Sequence, residues 1–310
     1  MRCDGDRVSA RELVVLGTAS QAPTRRRNHN GYLLRWDDEA LLFDPGEGIQ
    51  RQLVHAGVPV SAVTRLCLTH FHGDHCLGVP GVLQRRSLDE AAEPLHAYYP
   101  AAGQRFFRRL RYASAYAERS EVVEHPVATD GVVLETSRFR LMARTLDHRI
   151  ETLGWRLEEH DGVRMLPERL AEAGVAGPAV AQLQRDGSID VEGRTVQLSD
   201  VSEPRRGQVF AFVMDTRTCD AAADLAQGAD LLVCEATFLD RDADLAEQHA
   251  HLTAKSAAEL AREAGVRSLV LTHLSQRYPS PDEHLAEAAA VFPDVVIAED
   301  LDRIPVPRRQ

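Results

Sequence analysis

The stretch THFHGDH, residues 69–75, contains three imidazoles and one carboxylate within the six positions 70–75. Imidazole nitrogen and carboxylate oxygen are ligands that Zn²⁺ and similar divalent cations prefer. A catalytic ion usually takes only three protein ligands, so four candidates at this density predict a site for two metal ions. The alternative is a polar loop that happens to be rich in histidine. Apolar runs at 66–68 and 77–83 flank the stretch, and this position between core elements favours metal binding.

The composition predicts a globular chain with a full hydrophobic core. It has 310 residues, of which 44% are apolar, and we expect one domain over 1–310 that carries an insertion. The formal net charge of −11, taken alone, argues against a polyanionic partner. Local arginine clusters and a metal pair could still hold phosphate groups, so the net charge does not exclude nucleic acid.

The sequence also bears on cellular location and on the cysteines. No apolar run approaches the roughly 20 residues that cross a bilayer, and the N-terminus lacks the apolar core of a secretory signal. We therefore expect a cytoplasmic protein with no membrane partner. The five cysteines, at positions 3, 67, 76, 219 and 234, show no paired short spacing, which argues against disulfides and against a cysteine-type zinc site.

Apolar runs alternate with amphipathic stretches, an order that predicts a mixed α/β fold. The predicted strands are 13–16, 32–35, 41–44, 66–69, 132–135, 139–145, 209–214, 231–235, 268–272 and 295–297. The predicted helices are 49–56, 103–117, 254–264 and 282–291. Between 158 and 208 charges and glycines interrupt the pattern, and only short amphipathic pieces such as 167–173 remain. An insertion of this length is usually functional or disordered, so we expect a protruding arm over 158–208.

Three further candidate ligands each follow a predicted strand. His148 follows 139–145, Asp215 follows the last apolar residues of 209–214, and His273 follows 268–272. Loops at the carboxyl ends of strands build the sites of α/β folds, so we expect these residues and the stretch 69–75 to share one cleft. Each has an ordinary alternative: a lone histidine is often a surface or core residue, and an aspartate after a strand is often a helix cap.

Together these motifs resemble the ribonuclease Z family of the metallo-β-lactamase superfamily. The resemblance covers nearly the whole chain and is carried by residues 69–75, DHR at 147–149, LGWR at 153–156, CEATF at 234–238 and LTHLS at 271–275. It implies an αββα metallo-β-lactamase-type sandwich with an inserted arm. It also implies two Zn²⁺ ions per subunit, with Mn²⁺ or another divalent ion as the alternative. The implied ligands are His70, His72 and His148 for one metal, Asp74, His75 and His273 for the other, and Asp215 as the bridge.

The resemblance implies catalytic roles for three residues. Asp74 is both a ligand and the proton acceptor for the metal-bound water, and His251 protonates the departing oxygen or stabilises charge on the phosphate. Glu235 is retained in the stretch 234–238, whose first position is Cys234 where the family has histidine. The alternative for His251 is an unpartnered histidine at the start of a helix. Asp44 is expected to orient a ligand imidazole, although the glycines that follow it could instead mark an ordinary turn.

Two segments of the resemblance concern substrate binding. PTRRRN at 23–28 resembles a loop that the family uses at the cut site, which implies roles for Arg25, Arg27 and Asn28. The alternative is a solvated basic turn. Gly177 and Pro178, within the arm, resemble the family's exosite, which grips the tRNA elbow from the neighbouring subunit of a homodimer.

The implied function is that of a zinc-dependent endoribonuclease. It would remove the 3′ trailer from precursor tRNA by attack of a metal-bound hydroxide and leave a 3′-hydroxyl on the tRNA. One alternative is another hydrolase of the same fold, either arylsulfatase-like or acting on small phosphodiesters, which would keep the ligands without needing the arm. Another is a catalytically silent RNA-binding paralogue, in which loss of Asp74 would change nothing.

Overall fold

The computed structural model describes residues 11–309. Cys3 and the N-terminal residues, for which the sequence predicted no secretory signal, lie outside this range. The strands are β1 Glu12–Gly17, β2 Gly31–Trp36, β3 Glu39–Phe43, β4 Arg65–Cys67, β5 Leu95–Pro100, β6 Val122–Val127, β7 Gly131–Glu135, β8 Phe139–Leu146, β9 Thr152–Glu159, β10 Gly162–Met165, β11 Ser188–Val191, β12 Arg194–Gln197, β13 Ser202–Arg205, β14 Val209–Val213, β15 Leu231–Glu235, β16 Leu269–Thr272, β17 Val295–Ile297 and β18 Arg303–Pro305. The helices are α1 Ile49–His55, α2 Gly73–Cys76, α3 Val79–Leu88, α4 Gln104–Arg111, α5 Pro167–Glu172, α6 Pro178–Asp186, α7 Asp220–Ala226, α8 Ala243–His249, α9 Ala254–Glu263 and α10 Asp282–Ala289.

Two seven-stranded sheets form the body of the protein. The first has the order β18-β1-β2-β3-β4-β5-β6, and the second has the order β17-β16-β15-β14-β9-β8-β7. Strands β3 to β6 are parallel to one another, as are β14 to β17. Because parallel strands end at the same edge, the loops that follow them are gathered at one rim of each sheet.

Three apolar layers hold the sheets and helices together. The layer between the sheets contains buried side chains from both, among them Phe43 and Phe212, whose rings stack 4.8 Å apart. A second layer lies between the first sheet and α1, α3 and α4, and a third lies between the second sheet and α7, α9 and α10. The predicted αββα sandwich is confirmed.

Most predicted elements are present, with differences at prolines, glycines and one helix end. The helix predicted over 103–117 is too long, since α4 ends at Arg111; beyond it Ser114 Oγ accepts a hydrogen bond from Gln84 of α3 (2.6 Å). Strand β6 was not predicted because it contains Pro126, and it lies at the edge of its sheet, where a missing N–H is tolerated. Strand β9 was not predicted because it contains Gly154.

The segment between β9 and β14 folds around a small core of its own. Strands β10 and β13 pair at its base, β11 and β12 form a hairpin, and α5 and α6 pack with them around Val175, Leu183, Val196 and Val201. The predicted piece 167–173 is present as α5. The other short elements of this segment were not predicted, because their brief apolar runs combine only in the folded cluster.

Two simpler expectations concern the cysteines and the membrane. The four described cysteines, Cys67, Cys76, Cys219 and Cys234, are free thiols. Within residues 11–309, no helix is both long enough and apolar enough to cross a membrane.

Candidate metal centre

The candidate ligands lie at the carboxyl ends of strands from both sheets. The histidine-rich stretch follows β4 of the first sheet and continues into α2, whereas His148, Asp215 and His273 follow β8, β14 and β16 of the second. Asp215 and His273 have positive φ angles, 41° and 59°. Such backbone conformations cost a non-glycine residue on the order of 1–3 kcal/mol and are concentrated at functional sites.

A first group of candidate ligands is formed by His70, His72, His148 and Asp215. His70 Nε2 lies 2.8 Å from His72 Nδ1 and 3.5 Å from Asp215 Oδ2. His148 Nε2 lies 3.8 Å from the same carboxylate oxygen. The four ligand atoms lie within 4.8 Å of one another, so one ion could contact all four.

A second group lies on the other side of Asp215. His273 Nε2 is 3.5 Å from Asp74 Oδ2, and His75 Nε2 is 3.4 Å from the same oxygen. Asp215 Oδ1 is 3.3 Å from His273 Nε2, and Asp215 Oδ2 is 3.4 Å from His75 Nε2. The Asp215 carboxylate therefore contacts both groups, which is the position that a bridging ligand needs.

The chemistry of these side chains fits a pair of metal ions. Among the described residues, His148 Nε2, Asp215 Oδ1 and His273 Nε2 are buried and have no hydrogen-bond partner. A buried polar atom without a partner costs about 1–3 kcal/mol, and all three atoms belong to the two ligand groups. Divalent cations bound to both groups would satisfy them, and the nitrogen and oxygen donors suit Zn²⁺.

Asp44 fixes the orientation of two candidate ligands. Its Oδ2 lies 2.9 Å from His75 Nδ1, and its carboxylate accepts hydrogen bonds from the backbone N–H (2.7 Å) and hydroxyl (2.6 Å) of Thr69. The Thr69 hydroxyl oxygen in turn lies 2.9 Å from His70 Nδ1. Contacts at Nδ1 hold both rings in place with Nε2 of each imidazole directed at Asp215.

A second set of contacts connects Glu235, Thr237 and His273. The Thr237 hydroxyl donates to Glu235 Oε2 (2.5 Å) and lies 2.7 Å from His273 Nδ1. Because the hydroxyl proton goes to Glu235, its oxygen accepts the Nδ1 proton of His273, whose Nε2 remains free for a metal. Glu235 Oε1 lies 2.9 Å from His251 Nδ1, so Glu235 contacts His251 and Thr237. Thr237 was not predicted as a functional residue, although it lies only two residues after Glu235.

The charge states of the histidines differ. Burial lowers the pKa of His70, His72 and His148, which keeps these imidazoles in the neutral form that binds metals. Burial would also lower the pKa of His251, but the carboxylates of Glu235 and Asp215 outweigh it and raise the pKa to about 9. His251 is therefore protonated at pH 7 and can donate a proton.

Asp74 is ionised at every ordinary pH. Burial would raise its pKa, but the neighbouring His75 and His273 outweigh this effect and hold the pKa well below its usual range. In His75, Asp215 and Asp74 likewise outweigh burial and raise the pKa. A cation that binds His75 Nε2 therefore has to displace a proton.

Five of the seven candidate ligands line a cavity of about 490 Å³, namely His72, Asp74, His148, Asp215 and His273. Arg149, Phe238, His249 and His251 also line it. The ring of His251 lies 5.3 Å from that of His148, measured between centroids, which places its protonated imidazole beside the ligand groups. A cavity of this size can hold a nucleotide-sized part of a substrate.

The residues predicted to bind substrate from the loop at 23–28 differ in their contacts. Arg25 is exposed and lines a second cavity of about 470 Å³, which shares two lining residues with the first. The Arg27 guanidinium donates hydrogen bonds to Thr18 Oγ1 (2.6 Å) and the Ala298 carbonyl (2.9 Å). Asn28 Nδ2 donates to the Glu47 carbonyl (2.9 Å). Arg27 and Asn28 thus hold the loop, while the Arg25 side chain faces solvent.

Gly177 and Pro178 are the predicted site residues that lie on the arm. Both are exposed at the start of α6, and Gly177 has a φ of 56°. Neither lines the cavity that contains the candidate ligands. The structure thus brings together the seven candidate ligands, Glu235 and His251, whereas the arm residues are placed elsewhere.

Comparisons with known proteins agree with this geometry. Residues 24–149 match the family model described as metallo-beta-lactamase superfamily, and residues 179–274 match the beta-lactamase superfamily domain. The chain is 58% identical to a ribonuclease Z of Nocardia farcinica over 98% of this chain and 100% of that protein. It is 47% identical to a ribonuclease Z of Chlamydia pneumoniae over 97% of this chain and 98% of that protein. The crystal structure of the short form of human tRNase Z superposes with a TM-score of 0.71 at 26% identity, covering 96% of this chain and 100% of that one. The chain therefore belongs to the ribonuclease Z family of the metallo-β-lactamase superfamily.

Proposed function

We propose that this protein is a metal-dependent endoribonuclease that removes the 3′ trailer from precursor tRNA and leaves a 3′-hydroxyl on the tRNA. The observation that carries the proposal is the convergence of seven imidazole and carboxylate side chains from both sheets in two adjacent ligand groups, five of whose members line one cavity. Membership in the ribonuclease Z family supports tRNA as the substrate. The implied cofactor is two Zn²⁺ ions per subunit.

The proposed metal ligands keep the assignment implied by the resemblance. His70, His72 and His148 would hold one ion, Asp74, His75 and His273 the other, and Asp215 would contact both. When bound, such ions would acidify water and offset the negative charge that grows on the phosphate oxygens. Asp74, whose carboxylate lines the cavity, is the proposed acceptor of the proton that the water loses, the role that the resemblance implies.

The protonated imidazole of His251 is the proposed general acid. Its Nδ1 lies 2.9 Å from Glu235 Oε1, which leaves Nε2 to donate a proton to the departing oxygen of the phosphodiester. Glu235 is completely buried and acts as the group that orients His251 and keeps it charged. Glu235 is thus proposed as a positioning residue for catalysis.

The remaining proposals concern substrate binding and assembly. The arm over 158–208, with Gly177 and Pro178, is proposed to hold the tRNA body, and the loop with Arg25, Arg27 and Asn28 to lie against the acceptor end. We also propose a homodimer and a cytoplasmic location, as the family resemblance implies. Support for the arm's role comes from its independent small core, which lets it extend from the sandwich as a folded unit.

The test is cleavage of a 3′-extended tRNA transcript by the purified protein loaded with Zn²⁺ or Mn²⁺. We expect one cut near the 3′ end and a product that ends in a 3′-hydroxyl. The variant Asp74→Ala should lose activity by at least about a hundredfold, since even residues that only orient ligands change activity by 10–100-fold. Asp220→Asn, an acidic residue at the start of α7 on the outer helical layer, is the matched control and should cleave normally. Absence of cleavage by the metal-loaded protein would contradict the proposal, and unchanged activity of Asp74→Ala would contradict the metal assignment.

A further inference from the structure

Arginines are concentrated where the arm joins the sandwich, a region that we call the foot of the arm. It contains Arg164, Arg205, Arg206 and Arg309, none of which lines the cavity at the metal centre. Two cavities of about 690 Å³ and 230 Å³ lie here and share the side chains of Arg205 and Arg309. Their lining residues come from the start of β1, the turn between β2 and β3, the end of β9, the arm strands β10 and β13, the connection to β14, and residues 305–309. Six arginines and four carboxylates line them, an excess of two positive charges in a chain whose net charge is −11.

The carboxylates of Glu159 and Glu203 at the foot of the arm already pair with arginines of the protein. Glu159 accepts hydrogen bonds from both Arg11 (2.9 Å) and Arg205 (2.8 Å), and Glu203 pairs with Arg164. Their negative charges are therefore neutralised within the protein. What remains available to a ligand is the surplus of guanidinium groups.

Arg206 and Arg308 provide this surplus. Both are exposed, and neither makes an ion pair with a carboxylate among residues 11–309. The backbone around Arg308 is held in place, because its carbonyl accepts a hydrogen bond from Arg267 Nη1 (3.1 Å). The next residue, Arg309, is fixed by two hydrogen bonds to the buried carboxylate of Asp230. Two free guanidinium groups thus project from an ordered base.

We propose that Arg206 and Arg308 bind phosphate groups of the RNA backbone, extending the RNA-binding surface of the arm onto the sandwich. The guanidinium fork matches phosphate geometry, and charge complementarity favours a polyanion at a cavity lining in which arginines exceed acids. Arg164 and Arg205 of the same lining belong to the arm, which makes the surface continuous with it. This inference rests on the proposed function.

The experiment compares the intact protein with the double variant R206Q/R308Q. For a 3′-extended tRNA we expect KM to rise about tenfold at 0.1 M salt, and the slope of log KM against log salt to fall by about 1.5, as for two lost phosphate contacts. Turnover of bis(p-nitrophenyl) phosphate should not change, because neither residue lines the catalytic cavity. The matched control R119Q/R262Q removes the same charge from exposed positions outside the foot and should leave both parameters unchanged.

Two results would overturn the inference. The first is that R206Q/R308Q has the same KM, and the same slope of log KM against log salt, as the control R119Q/R262Q, although the intact protein cleaves the transcript. This result would contradict the inference and leave the proposed function standing. The second is that sodium tripolyphosphate stabilises the intact protein against heat but not R206Q/R308Q, while the KM for tRNA is the same in both. This result would show that the two arginines bind a small anion and not RNA. Failure of the intact protein to cleave any transcript would instead count against the proposed function.

Discussion

At the scale of single residues, the candidate ligands could be predicted because their side-chain types are rare and follow strands. The residues that orient them were harder to predict. The sequence suggested a role for Asp44, but Thr69 and Thr237 are ordinary hydroxyl residues whose importance depends on their distances to His70 and His273. That a hydroxyl orients a ligand histidine can be inferred only when its neighbours in the folded protein are known.

Replacing Thr237 tests this orienting role. In Thr237→Val, both His273 Nδ1 and Glu235 Oε2 lose the hydroxyl that they contact, while side-chain volume is nearly kept. We expect metal affinity to fall by about 10–100-fold, as for other groups that orient a ligand histidine. Competition with a chelator for bound Zn²⁺ measures this affinity. Thr237→Ser keeps the hydroxyl and is the control; equal zinc affinity in the valine and serine variants would show that the contact is unimportant.

At the scale of elements, tertiary contacts decide where local sequence rules fail. Gly154 would weaken an isolated strand, yet here a Cβ would lie only 2.4 Å from a methyl carbon of Leu225, so the glycine lets α7 pack against β9. The arm strands were missed for a related reason: each is only four residues long, and its apolar side chains pack on partners from the rest of the arm. No window of sequence contains that information.

Gly103 lets the start of α4 pack closely against the histidine-rich stretch of the metal centre. A Cβ at Gly103, just before α4, would lie 2.0 Å from Cε2 of Phe71, the residue between His70 and His72. We expect Gly103→Ala to displace this ring, to destabilise the protein by about 1–3 kcal/mol and to weaken zinc binding. Thermal unfolding and zinc competition measure the two effects. Gly162→Ala is the control, since its Cβ would meet only one atom, at 3.6 Å; an equal effect of both substitutions would refute the argument.

The end of β9 carries an ion-pair network that predicts a pH dependence of stability. Burial would raise the pKa of Glu159, but Arg205 and Arg11 outweigh it and lower the pKa to about 2. A carboxyl group with a depressed pKa stabilises the fold above its unfolded pKa of about 4.5, and this stabilisation is lost as the pH falls towards 2. Glu159→Gln should therefore lower the free energy of unfolding by roughly 2 kcal/mol at pH 7 and by progressively less below pH 4.5.

Chemical denaturation at several pH values measures this difference. Glu203→Gln is the matched control because Glu203 pairs with Arg164 of the arm at the surface, where both side chains are about half exposed. An exposed pair of this kind contributes roughly 0–1 kcal/mol. A difference for Glu159→Gln that persists unchanged at low pH would show that its effect is not electrostatic.

At the scale of the whole molecule, alternating strands and helices predicted a mixed α/β fold, and the family resemblance implied the sandwich. The position of candidate ligands after strands predicted one shared cleft. The arm was expected only as an interruption of this order. Its base is a pair of antiparallel strands in which Met165 lies opposite Ser202, so the two ends of the segment are adjacent. The arm can therefore be removed without opening the body of the protein.

Deletion of residues 166–199 separates the proposed function from that of a hydrolase that acts on small phosphodiesters. The deletion leaves Asp200 and Val201 to connect the paired strands β10 and β13 and removes no side chain that lines the metal cavity. We expect kcat/KM for precursor tRNA to fall by more than about tenfold, a loss of at least 1.4 kcal/mol of binding. Turnover of bis(p-nitrophenyl) phosphate should stay within about twofold of the intact protein, or roughly 0.4 kcal/mol. Undiminished cleavage of precursor tRNA by the deletion variant would contradict the proposed role of the arm in holding the tRNA.

Half of the sandwich supplies His70, His72, Asp74 and His75, and the other half supplies His148, Asp215 and His273. Cation affinity and cohesion of the two halves are consequently linked, and by reciprocity each must strengthen the other. Loss of the metal would then leave a looser protein as well as an inactive enzyme. Conversely, disruption of the stack of Phe43 and Phe212 between the sheets would weaken binding of the ions.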